Sequence, residues 1–123
     1  MAKIGYVCVG TNDFDRATGF YDALLGEVGG KRLMPTPAGL LYRLSDGALL
    51  MVTRPHDGQK ATIGNGGMIA IQMDRKEQVA GLHAKALALG GTCEGAPGPR
   101  GNFGDFAYFR DLDGNKLAAY CTG

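Results

Sequence analysis

The chain contains one structural pattern twice, and this internal repeat limits the folds that the sequence can adopt. An alternating apolar strand pattern at residues 4–10 recurs at residues 68–73, after a polar, turn-rich segment. Each strand is followed by a helix-period stretch, which ends at Gly26 in the first copy and at Gly90 in the second, and then by three shorter strand patterns. Each copy therefore predicts βαβββ. We expect an α+β fold of two such modules, whose curved mixed sheets line a cleft.

The predicted elements have approximate bounds. Asp13 and Asp74 are the expected N-caps of the two helices, because short polar side chains accept hydrogen bonds from the first free backbone N–H groups. The Gly/Pro-rich segment 95–104 is expected to be a flexible lip with Arg100 at its tip. The predicted strands cover residues 4–10, 31–35, 39–44, 48–53, 68–73, 92–96, 105–110 and 115–121.

A length of 123 residues fits a single domain with a core of its own. We place module 1 at about residues 1–54, the linker at about 55–65 and module 2 at about 66–123. The 21 glycines lie at segment ends, where they mark turns.

Composition argues against several classes of partner. A net charge of +1 and the absence of a basic run do not favour nucleic acid. No apolar run approaches the roughly 18 residues of a membrane span, and the N-terminus lacks the layout of a signal peptide, so we expect a cytoplasmic protein. The three cysteines, Cys8, Cys93 and Cys121, have no C-x-x-C spacing and are expected to be small buried thiols.

Strand alternation divides the side chains between two sheet faces. One face should pack under the helix, and it takes Val7, Val9, Ile69 and Ile71. The opposite face, called the far face below, mixes apolar, aromatic and polar side chains, as the lining of a ligand site does. Its predicted members in the first and last strands are Tyr6, Cys8, Met68, Ala70, Gln72, Lys116, Ala118 and Tyr120, with Leu49, Met51 and Thr53 equivalent to 116, 118 and 120.

Three phrases, in order and at repeat spacing, resemble one family. They are TNDFDRATGFYDALLG after the first strand, GGMIAIQM at the start of the second module and YFRDLDGNKLAAY at its end. The chain resembles the vicinal oxygen chelate superfamily, which includes glyoxalase I, bleomycin resistance proteins and extradiol dioxygenases. The resemblance implies a glyoxalase-like fold, two βαβββ modules around a cleft, and a homodimer.

Metal-dependent members of this family carry ligands at four equivalent places, which the resemblance maps onto Tyr6, Met51, Met68 and Ala118. None of these is an ordinary ligand for a hard or borderline divalent ion, so we expect no family-type metal site and no cofactor. The histidines do not replace them. His56 is expected to be a linker turn residue, and His83 is expected on the outer flank of the second helix.

The far face should bind a small, anionic organic molecule. Lys116 and an arginine could hold a carboxylate, a phosphate or an enolate-like oxygen. Either Tyr42 or Arg43 joins the face, and Asp105 is a possible carboxylate there. The predicted ligand-binding residues are Tyr6, Met51, Met68, Gln72, Arg100, Tyr108, Lys116, Ala118 and Tyr120.

Three classes of function stay open at this point. The first is a metal-free binder of the bleomycin-resistance type. The second is a metal-independent isomerase or lyase with Tyr6 and Lys116 as catalytic residues, in which Tyr6 donates a hydrogen bond or a proton; a space-filling Tyr6 is the alternative. The third is a metal-dependent glyoxalase-type lyase with relocated ligands. The fold does not choose among them, and the sequence does not identify the ligand.

Overall fold

The computed structural model describes residues 1–122 and divides the chain into two compact units, Met1–Thr62 and a second unit that begins at Ile63. In the first unit, strand β1 (Tyr6–Gly10) leads into helix α1 (Phe14–Gly26). Strands β2 (Lys31–Pro35), β3 (Gly39–Arg43) and β4 (Leu49–Thr53) follow. They form a four-stranded sheet in the order β1-β4-β3-β2, in which β1 pairs with β4 in parallel and the other neighbours are antiparallel.

The second unit repeats this arrangement. Strand β5 (Ile69–Gln72) leads into helix α2 (Lys76–Ala88). Strands β6 (Thr92–Pro99), β7 (Asp105–Arg110) and β8 (Lys116–Cys121) complete a sheet in the order β5-β8-β7-β6, again with a parallel pair, β5 and β8. The predicted α+β fold of two βαβββ modules with mixed sheets is therefore confirmed.

Register confirms the predicted equivalence of the two copies. Cys8 pairs with Met51 in the first sheet, and Ala70 pairs with Ala118 in the second. In the same way, Gly10 pairs with Thr53 where Gln72 pairs with Tyr120. Met51 and Ala118 thus occupy the same place in the two sheets.

Helix α1 is held by an N-cap and by a buried tyrosine on the sheet. Asp13 Oδ1 accepts a hydrogen bond from the backbone N–H of Arg16, so the predicted N-cap is confirmed. Tyr42 is 1% exposed on the helix side of β3, and its hydroxyl donates to Asp22 at 2.9 Å. The Arg32 guanidinium donates two hydrogen bonds, of 2.8 and 2.7 Å, to the same Asp22 carboxylate. This chain of contacts joins the sheet to the helix and gives the buried Tyr42 hydroxyl hydrogen-bonding partners.

Helix α2 departs from the sequence prediction in two respects. Arg75 is its N-cap, and Asp74 is not, because the Gln78 side chain folds back and its Oε1 accepts from the backbone N–H of both residues. His83 is buried, 7% exposed, and does not lie on the outer flank. The buried stripe is Val79, Leu82, His83 and Ala86, which is the i, i+3, i+4, i+7 pattern of a helix face against a sheet.

The segment predicted as a flexible lip is largely a strand. β6 extends to Pro99 and pairs with β7 through two register shifts, which accommodate its small residues. Two prolines fit there because β6 is the edge strand of its sheet and needs fewer backbone donors. Only a short turn, in which Phe103 N donates to Arg100 O, separates β6 from β7.

The cysteines were predicted to be buried, and this is wrong for two of them. Cys121 is buried, whereas Cys8 and Cys93 are exposed. Cys8 lies on the far face of β1, and Cys93 lies on the edge strand β6, so neither has a full layer of protein above it. Among residues 1–122, no helix has the length and apolar character that crossing a membrane requires.

The ion pair on α1 gives a prediction about stability and pH. The hydrogen bond from Arg32 holds the pKa of Asp22 below its usual value. A carboxyl with a lower pKa when folded stabilises the fold above its unfolded pKa of about 3.9, and this contribution is lost as pH falls through the folded pKa. We expect the Asp22→Asn variant to lose less stability than the native protein between pH 6 and pH about 2.5 in urea titrations. Arg32→Gln should flatten the same pH dependence, and an unchanged profile in both variants would contradict this account.

Candidate functional site

The far face of the first sheet is apolar at its centre and cationic at one end. Met51 and Leu41 lie side by side there in register, and Met34 continues the row. Tyr6, 58% exposed, pairs with Leu49, and Leu49 pairs with Arg43. Arg43 is therefore the far-face residue of β3, whereas Tyr42 faces α1.

The far face of the second sheet carries a ladder of stacked aromatic rings, Phe106, Tyr108 and Tyr120, called the aromatic ladder below. Phe106 and Tyr120 are cross-strand partners, and their rings stack at 5.0 Å with planes 13° apart. Phe106 also stacks on Tyr108, two residues along β7, at 6.0 Å and 20°. All three residues are half-buried, so the stack is formed and still accessible.

Two cations lie over the end of this ladder. The Lys116 ammonium is 5.3 Å and the Arg100 guanidinium 5.6 Å from the centre of the Tyr108 ring, both within cation–π range. Arg100 directly follows β6 and is fixed by that strand, because its guanidinium donates to the carbonyls of Ala96 and Gly98 at 2.7 and 2.9 Å. Arg100 was expected at the tip of a flexible lip, but these hydrogen bonds hold its side chain in one position.

Gly95 is what allows Tyr108 and Arg100 to lie against β6. A Cβ at this position would be 2.8 Å from Tyr108 Cδ2 and 3.3 Å from an Arg100 nitrogen. Gly95 is also the partner of Tyr108 across the strands, next to the register shifts of β6. The glycine therefore leaves room for the ring and the guanidinium together.

One carboxylate beside this face escaped the sequence analysis. Glu94 Oε1 accepts a 2.6 Å hydrogen bond from Arg110 Nε, and this bond, with the positive charge of Arg110, lowers the pKa of Glu94. Lys116 adds a weaker lowering effect. Strand parity could not locate Glu94, because the register shifts between Cys93 and Gly95. The Glu94–Arg110 pair offsets its own charges, which leaves Lys116 and Arg100 as the positive groups over the ladder.

Sequence reasoning also missed Phe106, although strand parity could have found it. Phe106 and Tyr108 alternate on β7, and Phe106 pairs with Tyr120. The same parity places Asp105 with Ala107, on the helix side of the strand, so Asp105 is not a carboxylate of the far face.

The other residues predicted to bind a ligand differ in how far they are exposed to solvent. Gln72 is exposed, and its Oε1 accepts a 3.3 Å hydrogen bond from the Tyr120 hydroxyl. Met68 is 46% exposed just before β5. Ala118 is on the far face beside Tyr108 and is 0% exposed. It therefore affects how neighbouring side chains pack but is not accessible to a ligand. Asp111 braces the last hairpin, because its Oδ1 accepts hydrogen bonds from the backbone N–H groups of Asp113 and Asn115.

The four positions that the family resemblance assigns to metal ligands do not suit a divalent ion in this chain. Their side chains are a phenol, two thioethers and a methyl group, on Tyr6, Met51, Met68 and Ala118. A thioether is a soft donor, a neutral phenol is a weak one, and a methyl group donates nothing. Within residues 1–122, no group of three or more His, Cys, Asp or Glu side chains could hold a metal ion. His56 is exposed in the linker, and His83 lies on the buried face of α2.

Comparison with known families agrees with the fold and the repeat. The sequence model of the Glyoxalase/Bleomycin resistance protein/Dioxygenase superfamily matches residues 3–119. The chain therefore belongs to this superfamily. A comparison with curated proteins found no match.

Solved structures of several proteins are similar to the chain over nearly its whole length. A glyoxalase/bleomycin resistance protein from Albidiferax ferrireducens T118 is 38% identical, with 98% of each chain covered and a TM-score of 0.88. The fosfomycin resistance protein FosX from Listeria monocytogenes, crystallised with Mn(II) and sulfate, has a TM-score of 0.75 at 17% identity, over 100% of this chain and 92% of its own. The hypothetical protein SA1046 from S. aureus has a TM-score of 0.79 at 21% identity, over 98% and 94%. The last two comparisons show the shared fold alone.

The role of Gly95 can be tested with a neighbouring glycine as the control. Gly95→Ala should displace the Tyr108 ring and destabilise the fold by about 1 kcal/mol, the lower end of the cost of overpacking. Gly98→Ala adds the same methyl group to the same strand but meets only an ordinary 3.5 Å contact with Arg100. Aromatic NMR shifts of Tyr108, together with thermal midpoints, should change in the first variant and stay close to native in the second. Equal effects would refute the proposed role of Gly95.

Proposed function

We propose that the protein binds a small anionic organic molecule on its far face, without a metal ion of the family type. The observation that carries the proposal is the aromatic ladder with two cations at one end. Stacked rings take up a flat or apolar group, and the ammonium of Lys116 and the guanidinium of Arg100 attract negative charge. This combination of a broad apolar surface and a few placed polar groups is typical of ligand sites.

The charge balance of the second sheet supports an anion over a neutral ligand. Arg110 is neutralised by Glu94, with which it forms a 2.6 Å ion pair. Among residues 1–122, Arg100 donates hydrogen bonds to backbone carbonyls only, and these leave its positive charge uncompensated. The carboxylate or phosphonate of a ligand would add the missing counter-charge at Lys116 and Arg100.

The far face of the first sheet offers an apolar surface of its own. Met51 is half-buried, and its sulfur accepts a 3.6 Å hydrogen bond from the Thr36 hydroxyl. Methionine adapts its shape to a ligand at low cost, so Met51 and the exposed Met68 suit packing more than coordination.

A catalytic role for Tyr6 and Lys116 stays the second candidate. The exposed phenol of Tyr6 on the far face is the observation that favours it, since a proton donor must be accessible to a substrate. Such an enzyme would be a metal-independent isomerase or lyase. The homodimer and the cytoplasmic location remain expectations from the sequence.

A pair of matched probes tests binding. Benzoate and benzamide share a flat ring, and only benzoate is charged. In two-dimensional NMR titrations we expect benzoate to shift the signals of Tyr108, Tyr120 and Lys116, and benzamide to bind more weakly. Lys116→Met should weaken benzoate binding by roughly tenfold, as expected for the loss of one charge-assisted contact.

Lys76→Met provides the control for the charge change. Lys76 is exposed on α2, which covers the opposite side of the same sheet, so benzoate affinity should stay within about twofold of native. Equal affinity for the two probes, or equal loss in the two lysine variants, would contradict the proposed site.

A further inference from the structure

A buried imidazole touches an exposed thiol on the helix side of the second sheet. His83 Nε2 is 3.2 Å from Cys93 Sγ, a short distance for a hydrogen bond that involves sulfur. His83 projects from α2, and Cys93 lies on the edge strand β6, in the row that pairs with Phe109. The pair is therefore on the face opposite the aromatic ladder, and nothing in the proposed function uses it.

The two groups have complementary environments. His83 is 7% exposed, and burial lowers its pKa, so the imidazole is neutral at neutral pH and can accept a proton. Cys93 is exposed, so a reagent can reach it. A nucleophile with a base at hydrogen-bonding distance is the arrangement that activates cysteine in proteins.

The other two cysteines lack this combination. Cys121 is buried and out of reach of a reagent. Cys8 is exposed, but partial burial raises the pKa of its thiol. The Cys8 thiol also has no hydrogen-bonding partner among the residues that the structure describes. The chain thus contains one exposed thiol with a base and one without.

We propose that Cys93 and His83 form a nucleophilic thiol–imidazole pair, which makes Cys93 a site of covalent modification by small, uncharged carbon electrophiles. In the reaction with iodoacetamide, a bond forms between Cys93 Sγ and the methylene carbon while the carbon–iodine bond breaks. Iodide leaves with the bonding electron pair. The thiol proton moves to His83 Nε2, which then releases it to water.

The test compares three thiols within one molecule. The native protein is treated briefly with limiting iodoacetamide at pH 7, and peptide mass spectrometry measures alkylation at each cysteine. We expect Cys93 to react at least about tenfold faster than Cys8, a threshold set below the roughly 10²–10⁴-fold that a positioned general base contributes, and Cys121 to stay unmodified. Equal rates at Cys93 and Cys8 would overturn the proposal.

Two histidine variants then isolate the base. His83→Gln keeps a polar side chain that is not a base. This variant should slow the alkylation of Cys93 by roughly tenfold and leave the alkylation rate of Cys8 unchanged. His56→Gln, at the exposed linker histidine, should change neither rate. Protection of Cys121 reports that each variant is folded. A folded His83→Gln protein with a native rate at Cys93 would also overturn the proposal, and if that variant unfolds, the ratio of rates in the native protein decides.

Discussion

The parallel pairing of the first and last strand in each unit is the constraint on which the rest of the structure depends. β1 lies beside β4, and β5 lies beside β8, so the ends of each βαβββ copy meet in register. Side chains alternate between the two faces of a sheet, and a slip of one residue would exchange the face under the helix with the far face. The helix opposes such a slip. In the second unit it covers Leu117, Ala119 and Cys121, all buried, and leaves Lys116 and Tyr120 half-buried on the other side.

The same pairing gives the two copies different chemistry at equivalent places. In the first sheet the far face presents thioethers and aliphatic groups around Met51. In the second, the small Ala118 leaves room beside Tyr108 for the ring to lie over the sheet. Gly95 extends that room on the other side of Tyr108. Small residues on two strands thus set the position of the aromatic ladder, and the ladder sets where Lys116 and Arg100 lie.

Sequence reasoning worked where a regular period controls the outcome. Alternation on β1, β5 and β8 placed Tyr6, Gln72 and Lys116 on the far face, and the repeat predicted the equivalence of Met51 and Ala118. Sequence reasoning failed where a strand departs from regular alternation and where the face of a helix residue was assigned wrongly. The register of β6 shifts on either side of Gly95, Glu94 lies beside Arg110, and Arg100 folds back onto the carbonyls of β6. His83 belongs to the buried stripe of α2, whereas its place between Leu82 and Ala84 suggested the outer flank of the helix.

The central proposal is that this member of the superfamily keeps the two-module fold and binds its ligand on an aromatic and cationic surface, without a metal ion of the family type. Elemental analysis tests this most directly, on untagged protein dialysed first against nickel, zinc, manganese and iron(II) and then against metal-free buffer. The account predicts that every metal stays far below a stoichiometric amount, because Tyr6, Met51, Met68 and Ala118 offer no set of hard or borderline donors. A metal retained in stoichiometric amount would contradict the account and favour a metal-dependent lyase.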